Sequence, residues 1–207
     1  MKRPLKLKAH YLEEVSSGHI HLQNQQLHIL QVMEGCWQQS TSWLNWFRQG
    51  IIKKHLYIYG SVGSGKTYLM DLFYQALPTP KKWRIHFHAF LEYVSDELKK
   101  LQGQVNPMQQ VVSTLAKKYQ VLCLDEMMVQ DVVQAMLLRE LIPELMQAQV
   151  LLVFTSNIAP HDLYLNGLQR PRFMTVIEHI EDYCHVLHLQ LHQDFRHRSR
   201  GAHAAAP

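Results

Sequence analysis

One stretch decides the fold class of this 207-residue chain: Gly60-Ser61-Val62-Gly63-Ser64-Gly65-Lys66-Thr67. It matches the phosphate-binding loop Gly-x4-Gly-Lys-Ser/Thr at every required position, and it follows a strand-like segment and opens a helix-like one. The glycines let the backbone approach phosphate oxygens closely, while its N–H groups and the helix N-terminus supply positive partial charge. The pattern predicts that the Lys66 ammonium reaches the β and γ phosphates of a nucleotide and that the Thr67 hydroxyl binds Mg²⁺.

The segments around this loop alternate between short apolar runs and longer amphipathic stretches. This alternation predicts a mainly parallel sheet covered on both faces, which is a three-layer α/β domain. Residues 5–49 have helical spacing instead and predict a helical N-terminal segment. The predicted strands are 53–59, 83–88, 120–124, 149–155 and 185–189. The predicted helices are 65–77, 89–102, 107–118, 130–147 and 173–182.

Composition excludes several classes of protein. A chain that is 47% hydrophobic and 18% charged can bury a core, which excludes disordered and collagen-like chains. Three widely separated cysteines favour a reducing compartment over a disulfide framework. We see no secretory signal and no apolar run long enough to span a membrane. The net charge of +4 is concentrated in the first half, but it is too dilute to favour nucleic acid.

Two acidic residues follow a second apolar run, Val121–Leu124. A phosphate-binding loop requires a carboxylate that holds the metal at the end of another strand, and Asp125 is placed to do so, through water. Glu126 comes next and is placed to polarise a water molecule against the γ phosphate, which is the role of a general base in hydrolysis. The two acids therefore predict nucleotide hydrolysis.

Three further polar groups leave alternatives open. Asn157, at the end of a predicted strand, could bond the attacking water or cap a helix near Pro160. Arg170, in a predicted loop together with Arg172, could neutralise charge at a neighbouring subunit's nucleotide, although an ordinary surface role is favoured on spacing alone. His86 and His88 share a predicted strand face, but without a third ligand a structural role is favoured over metal binding. Aromatic residues of the helical segment are predicted to be core: Trp37, Trp43, Trp46 and Phe47.

The motifs taken together resemble the ZapE family of AAA+ ATPases, which act in bacterial cell division and have mitochondrial AFG-type relatives. The resemblance covers about residues 10–196. It rests on the phosphate-binding loop and on five further segments: Met70-Asp71-Leu72-Phe73-Tyr74, His86-Phe87-His88-Ala89-Phe90, Asp125-Glu126, Thr155-Ser156-Asn157 and Leu163-Tyr164-x-Asn166-Gly167-Leu168-Gln169-Arg170-x-x-Phe173.

This resemblance implies an AAA+ P-loop NTPase core with strand order 5-1-4-3-2, ATP as the nucleotide, hydrolysis that depends on Mg²⁺, and a homo-oligomer. Lys66 and Thr67 then belong to Walker A, and Asp125 and Glu126 to Walker B. Asn157 becomes the polar sensor and Arg170 the arginine finger, with Arg172 ranked second. Met127 departs from the family, which has an aromatic residue there.

The resemblance also implies a biological setting. The expected partner is the division-ring protein FtsZ, and the expected location is the cytoplasm, with peripheral association with the inner membrane at the division site left open. Family members continue well past Asp194-Phe195-Arg196, so we expect a small helical lid to be missing and hydrolysis by this chain to be weak.

We therefore expect three parts: a helical segment at 1–50, an ATPase core at 51–196, and a disordered tail or artificial end at 197–207. The leading hypothesis is an ATPase that remodels a protein. The alternatives are a helicase-loader type that binds nucleic acid and a nucleotide switch that does not hydrolyse. The absence of an Asn-Lys-x-Asp segment argues against a GTPase, and Glu126 beside Asp125 argues against a small-molecule kinase.

Overall fold

The computed structural model describes residues 5–40 and 53–190. In that part of the chain, helices precede a domain in which strands and helices alternate, as the sequence predicts. The helices and strands are, in order, α1 Leu7–Ser16, α2 Asn24–Ser40, β1 His55–Tyr59, α3 Lys66–Ala76, β2 Lys82–His86, α4 Phe87–Lys100, α5 Pro107–Lys118, β3 Val121–Asp125, α6 Val132–Gln147, β4 Leu151–Ser156, a 3-10 helix Pro160–Asp162, α7 Arg170–Tyr183 and β5 Cys184–His188.

The five strands form one parallel sheet in the order β2-β3-β4-β1-β5. This confirms the expected order 5-1-4-3-2, which is the same order read from the opposite edge strand, β5. The register pairs Tyr59 with Ser156 and His86 with Asp125, so the carboxyl ends of neighbouring strands lie at the same edge of the sheet. In parallel sheets of this kind, ligands bind outside that edge. The fold therefore brings the loop after β1 close to the residues that follow β3 and β4.

Each face of the sheet is covered by its own hydrophobic cluster, which makes the molecule three-layered. Alternate side chains of a strand point to opposite faces. Tyr57 and Phe154 belong to the cluster that includes α4 to α7, while Ile58 and Val153 belong to the cluster that includes α1, α2 and α3. The N-terminal helices thus share their hydrophobic core with the helix that carries Lys66.

The observed element boundaries correct one side-chain prediction. The strand predicted at 83–88 ends at His86, and α4 begins at Phe87. His88 therefore lies in a helix, where it is 3.4 Å from Glu92, and it does not share a strand face with His86. Within residues 5–40 and 53–190, no group of three or more His, Cys, Asp or Glu side chains could hold a metal ion.

The predictions for the aromatic residues and the tail have different outcomes. Trp37 is buried in the cluster of the N-terminal helices, as predicted. Trp43, Trp46, Phe47 and the tail at 197–207 lie outside the described residues, as does the predicted boundary at residue 50. Among the helices of the described ranges, none has the length and apolar character needed to cross a bilayer.

Candidate functional site

The phosphate-binding loop connects β1 to α3 and has the backbone that its glycines allow. Gly63 and Gly65 have φ values of +82° and +97°, in the left-handed region that side chains disfavour. A Cβ atom on Gly60 would lie 2.1 Å from the carbonyl oxygen of Leu189. The loop is therefore held close to its neighbouring backbone, and its last turn leads directly into α3 at Lys66.

Lys66 is folded back against its own loop. Its Nζ donates to the carbonyl oxygens of Gly60 at 2.7 Å and Ser61 at 2.8 Å, and lies 3.4 Å from Ser64 Oγ. Burial lowers the pKa of Lys66, and the charge of Glu126 partly offsets this effect. The ammonium is thus held by neutral oxygens that phosphate oxygens could replace.

Asp125 is the last residue of β3, and protein donors contact both of its carboxylate oxygens. Arg84 Nε donates to Oδ2 at 2.6 Å, and Thr155 Oγ1 donates to Oδ1 at 3.1 Å. Arg84 also pairs through Nη1 with Asp71 of α3. The helix that carries Lys66 and Thr67 is therefore tied to the strand that carries Asp125.

Glu126 follows with a left-handed backbone, at φ +61°, which is unusual for this residue type. Its N–H donates to Thr155 Oγ1 at 3.1 Å, so the strained conformation is stabilised by the neighbouring strand. Its side chain is 76% exposed and lies 3.9 Å from His86 Nδ1. Glu126 directly follows the carboxyl end of β3, and the loop follows the carboxyl end of β1 in the same parallel sheet, so both lie at the same end of the strands. The carboxylate can therefore meet a ligand and water together.

Asn157 follows β4, which lies between β1 and β3. The neighbouring backbone is fixed at this point because the Gly60 N–H donates to the Ser156 carbonyl at 3.2 Å. The helix-cap interpretation of Asn157 is wrong, since Ala159, not Asn157, occupies the N-cap position of the 3-10 helix, and no side chain caps that helix. The exposed Asn157 side chain lies at the edge that carries the loop and Asp125.

The two candidate arginines lie in a helix rather than in the predicted loop. Arg170 is the first residue of α7, where Pro171 is compatible with the first turn. Its Nη2 donates to the carbonyl of His161 at 2.6 Å, and its buried Nε has no hydrogen-bond partner within residues 5–40 and 53–190. Arg172 is exposed and donates to Gln169 Oε1 at 3.1 Å. Spacing could not reveal this helix start, because its cap residue, Gln169, is not a usual capping type.

The residues at this edge provide the oxygen ligands that Mg²⁺ prefers. Thr67 offers an exposed hydroxyl in the first turn of α3, and Asp125 offers a carboxylate. Mg²⁺ in nucleotide sites is usually held by one or two such protein groups together with phosphate oxygens and water. The donor set therefore fits the predicted metal.

Sequence reasoning missed three neighbours of this site: Arg84, Asp71 and Gln26. A signal for Arg84 was present, since Lys82, Arg84 and His86 alternate along a strand and so share a face. Gln26 had none. Its side chain is buried in α2, and a Cβ on Gly65 would lie 2.7 Å from its Nε2. The N-terminal helices therefore form one wall of the loop.

Comparison with protein families gives a match that covers almost the whole chain. The family described as AFG1-like ATPase matches residues 4–206. The cell division protein ZapE of Escherichia coli K12 is 46% identical over 144 residues, which is 70% of this chain and 38% of that protein. Lactation elevated protein 1 homolog B of Danio rerio is 38% identical over 153 residues, or 69% of this chain and 30% of that protein. The chain thus spans about a third of the length of these relatives.

Solved structures share the fold at low sequence identity. Domain III of the replication initiation protein DnaA from Thermotoga maritima superposes with a TM-score of 0.59 at 18% identity, covering 82% of this chain and 64% of that chain. AMPPCP-bound DnaA from Aquifex aeolicus gives 0.58 at 17% identity, covering 83% and 49%. DnaI gives 0.54 at 19% identity, covering 83% and 89%. These likenesses establish the P-loop NTPase fold of the chain.

Proposed function

Since the chain belongs to the AFG1-like ATPase family, we propose that it binds ATP together with Mg²⁺ and hydrolyses the nucleotide to remodel a protein partner. One observation carries this proposal. The helix that follows the complete phosphate-binding loop is tied through Asp71 and Arg84 to the carboxylate of Asp125, and Glu126 is exposed next to Asp125. Binding and water activation therefore have candidate groups at one edge of the sheet.

Each group has a defined task in this proposal. The loop N–H groups, the start of α3 and Lys66 bind the phosphates, while Thr67 and Asp125 would hold Mg²⁺. The metal, when bound, neutralises charge on the β and γ phosphates. A water oxygen attacks the γ phosphorus, the bond from that phosphorus to the bridging oxygen breaks, and Glu126 takes the proton. Asn157 orients the water.

We propose that Arg170 of one copy of the chain contacts the nucleotide bound to a neighbouring copy. An arginine supplied by a second subunit stabilises charge that develops on the transferred phosphate. The fixed position of the Arg170 guanidinium, bonded to the His161 carbonyl, supports a role in which geometry matters. The active form is then a homo-oligomer.

The biological role follows from similarity. E. coli ZapE is named as a cell division protein, so we propose a role in division for this chain. The resemblance drawn from the motifs implies FtsZ as the partner and the cytoplasm, near the inner membrane at the division site, as the location. Sedimentation of purified FtsZ polymers together with this protein tests whether FtsZ is the partner. If the protein does not sediment with the polymers, either with or without ATP, FtsZ is not its partner.

Two substitutions test binding and hydrolysis separately. Glu126→Gln removes the base and keeps the fold, so we expect phosphate release to fall about 10²-fold or more. Its ATP affinity should stay close to that of the wild type. Lys66→Ala removes the phosphate-binding ammonium and should abolish most ATP affinity. Calorimetry with ATP and a phosphate-release assay provide both measurements.

The outcomes separate the alternatives. Wild-type protein that binds ATP without releasing phosphate would be a nucleotide switch and would contradict hydrolysis. Wild-type protein that gives no heat with ATP would contradict the proposed function altogether. Steeply salt-dependent DNA binding would favour the helicase-loader alternative.

A further inference from the structure

Strand β2 presents three basic side chains on one face. Lys82, Arg84 and His86 alternate with Trp83 and Ile85, which pack on the opposite face against the cluster that includes α4 to α7. Lys82 Nζ donates to two carbonyls at the end of α3, those of Tyr74 at 2.6 Å and Leu77 at 3.1 Å. The basic face of β2 therefore lies along α3.

The middle residue of this face, Arg84, lies between two carboxylates. Nε donates to Asp125 Oδ2, and Nη1 pairs with Asp71 Oδ1. Asp125 and Arg84 are largely buried, with side chains 12% and 20% exposed, whereas the Asp71 side chain is 47% exposed. The charge of the carboxylate expected to hold the metal is thus already balanced by a cation of the protein itself.

Asp71 is positioned to influence that balance. It lies four residues after Thr67 in α3, so the two side chains are on the same face of the helix, one turn apart. Because the guanidinium is shared, the charge of Asp71 attracts Arg84 and so weakens the hold of Arg84 on Asp125. Without Asp71, Asp125 would be the one carboxylate left to pair with this cation in the part of the chain that the structure describes.

We propose that Arg84 is an internal counter-ion that sets the Mg²⁺ concentration the protein requires. Its positive charge opposes the approach of a dication to Asp125, and Asp71 draws part of that charge away. Arg84 and Asp71 act through Asp125 and are positioning residues. The inference rests on the proposed function, since it concerns the metal that accompanies ATP.

We expect Arg84 to act on Asp125 mainly through its positive charge and less through the orientation it gives to the carboxylate. Thr155 Oγ1 donates to Asp125 Oδ1 and does not depend on Arg84 for this bond, so we expect the carboxylate to keep one of its two anchors when Arg84 is replaced. What is lost is the cation. The two carboxylate–guanidinium contacts therefore predict substitution effects of opposite sign, which a purely structural role would not produce.

The measurement is the affinity of the purified chain for a fluorescent ATP analogue as a function of Mg²⁺ concentration. We expect Arg84→Gln to lower the Mg²⁺ concentration at which half of the Mg²⁺-dependent gain in nucleotide affinity is reached. We expect Asp71→Asn to raise this concentration, and each shift should be about threefold or more. Arg84→Lys keeps the charge and should stay close to the wild type. Lys82→Gln is the matched control, since Lys82 lies on the same strand face and bonds α3 but has no contact with Asp125 among those described. It should leave the requirement unchanged.

Four outcomes overturn the inference. Shifts of Arg84→Gln and Asp71→Asn in the same direction would indicate a structural role, and unchanged Mg²⁺ requirements would remove the counter-ion effect. If Arg84→Gln fails to fold, Asp71→Asn decides alone, since its half-exposed side chain is replaced by one of the same size: a lowered or unchanged requirement contradicts us. A wild type that binds no nucleotide overturns the proposed function and the inference together, whereas normal wild-type binding with unshifted variants overturns the inference alone.

Discussion

The imidazole of His55 is a buried polar group in the first strand of the sheet. It is 2% exposed, and its Nδ1 accepts a hydrogen bond from the Leu152 N–H of β4 at 3.2 Å. Burial lowers the pKa of His55 to about 4, and the charge of Lys54 adds to this effect. At neutral pH the ring is therefore uncharged and serves as an acceptor between two central strands.

The lowered pKa of His55 predicts that the protein loses stability in mild acid. The unfolded chain binds a proton at His55 near pH 6.5, whereas the folded chain does so only near pH 4. The contribution of His55 to the free energy of unfolding is therefore fully present above about pH 6.5 and is lost as the pH is lowered towards 4. His55 alone should cost about 2 kcal/mol at pH 5 relative to pH 7.5.

Urea unfolding at the two pH values measures this effect. His55→Gln keeps an acceptor for the Leu152 N–H without a titrating ring, so its loss of stability between pH 7.5 and 5 should be smaller by that amount. An equal loss in both proteins would contradict the assignment of the effect to His55.

At the scale of elements, the N-terminal helices are anchored to the helix of the phosphate-binding loop. Tyr11 Oη of α1 accepts the Gln23 N–H at 2.9 Å and donates to Gln26 Oε1 at 3.1 Å. Glu14 of α1 accepts a hydrogen bond from Tyr68 of α3. Because Gln26 also contacts Gly65, the hairpin of α1 and α2 helps to shape the loop.

Removal of one hydroxyl tests this anchoring. Tyr11→Phe removes this partner from the buried Gln26 carbonyl oxygen and from the part-buried Gln23 N–H, so the free energy of unfolding should fall by about 1–3 kcal/mol. ATP affinity should fall as well, because Gln26 is then less well fixed against Gly65. Urea unfolding and calorimetry measure both effects.

Tyr74→Phe is the control, since the Tyr74 hydroxyl makes only a long 3.4 Å bond to the Lys82 carbonyl among those described. It should change both quantities little. A Tyr11→Phe protein with unchanged ATP affinity would show that α1 and α2 stabilise the fold without shaping the loop.

At the scale of the molecule, the parallel strand order places β4 between β1 and β3. The loop after β1, the acids at the end of β3 and Asn157 after β4 therefore lie at one edge of a single sheet. Arg170 begins α7, which follows β4 in the chain and packs on the cluster that includes α4 to α6. The proposed homo-oligomer requires that this arginine serve a neighbouring copy.

Mixing two inactive variants tests that requirement. Glu126→Gln retains the arginine, and Arg170→Ala retains the acids, so a mixed oligomer contains intact sites formed by one subunit of each kind. We expect each variant alone to release phosphate slowly, and an equimolar mixture to exceed the mean of the two rates severalfold. A mixture that gives only this mean would contradict a role for Arg170 in a neighbouring subunit.

Local sequence patterns were enough to predict the strands, the helices and the loop, because these depend on residues close together in the chain. The run Val121–Leu124 before Asp125 is such a pattern, as is the helix 107–118, which begins and ends where predicted. The order of the strands came from family resemblance instead, since spacing alone leaves several parallel orders open.

Contacts between distant parts of the chain could not be deduced in this way. Arg84 lies 41 residues from Asp125 and 13 from Asp71, and they meet because β2 pairs with β3 and packs along α3. The contact of Gln26 with Gly65 likewise needs the packing of α2 against the sheet. The amino-acid order thus specified the chemical groups of the site through local pattern, whereas packing chose their partners, because a charge pairs with what lies near it in space.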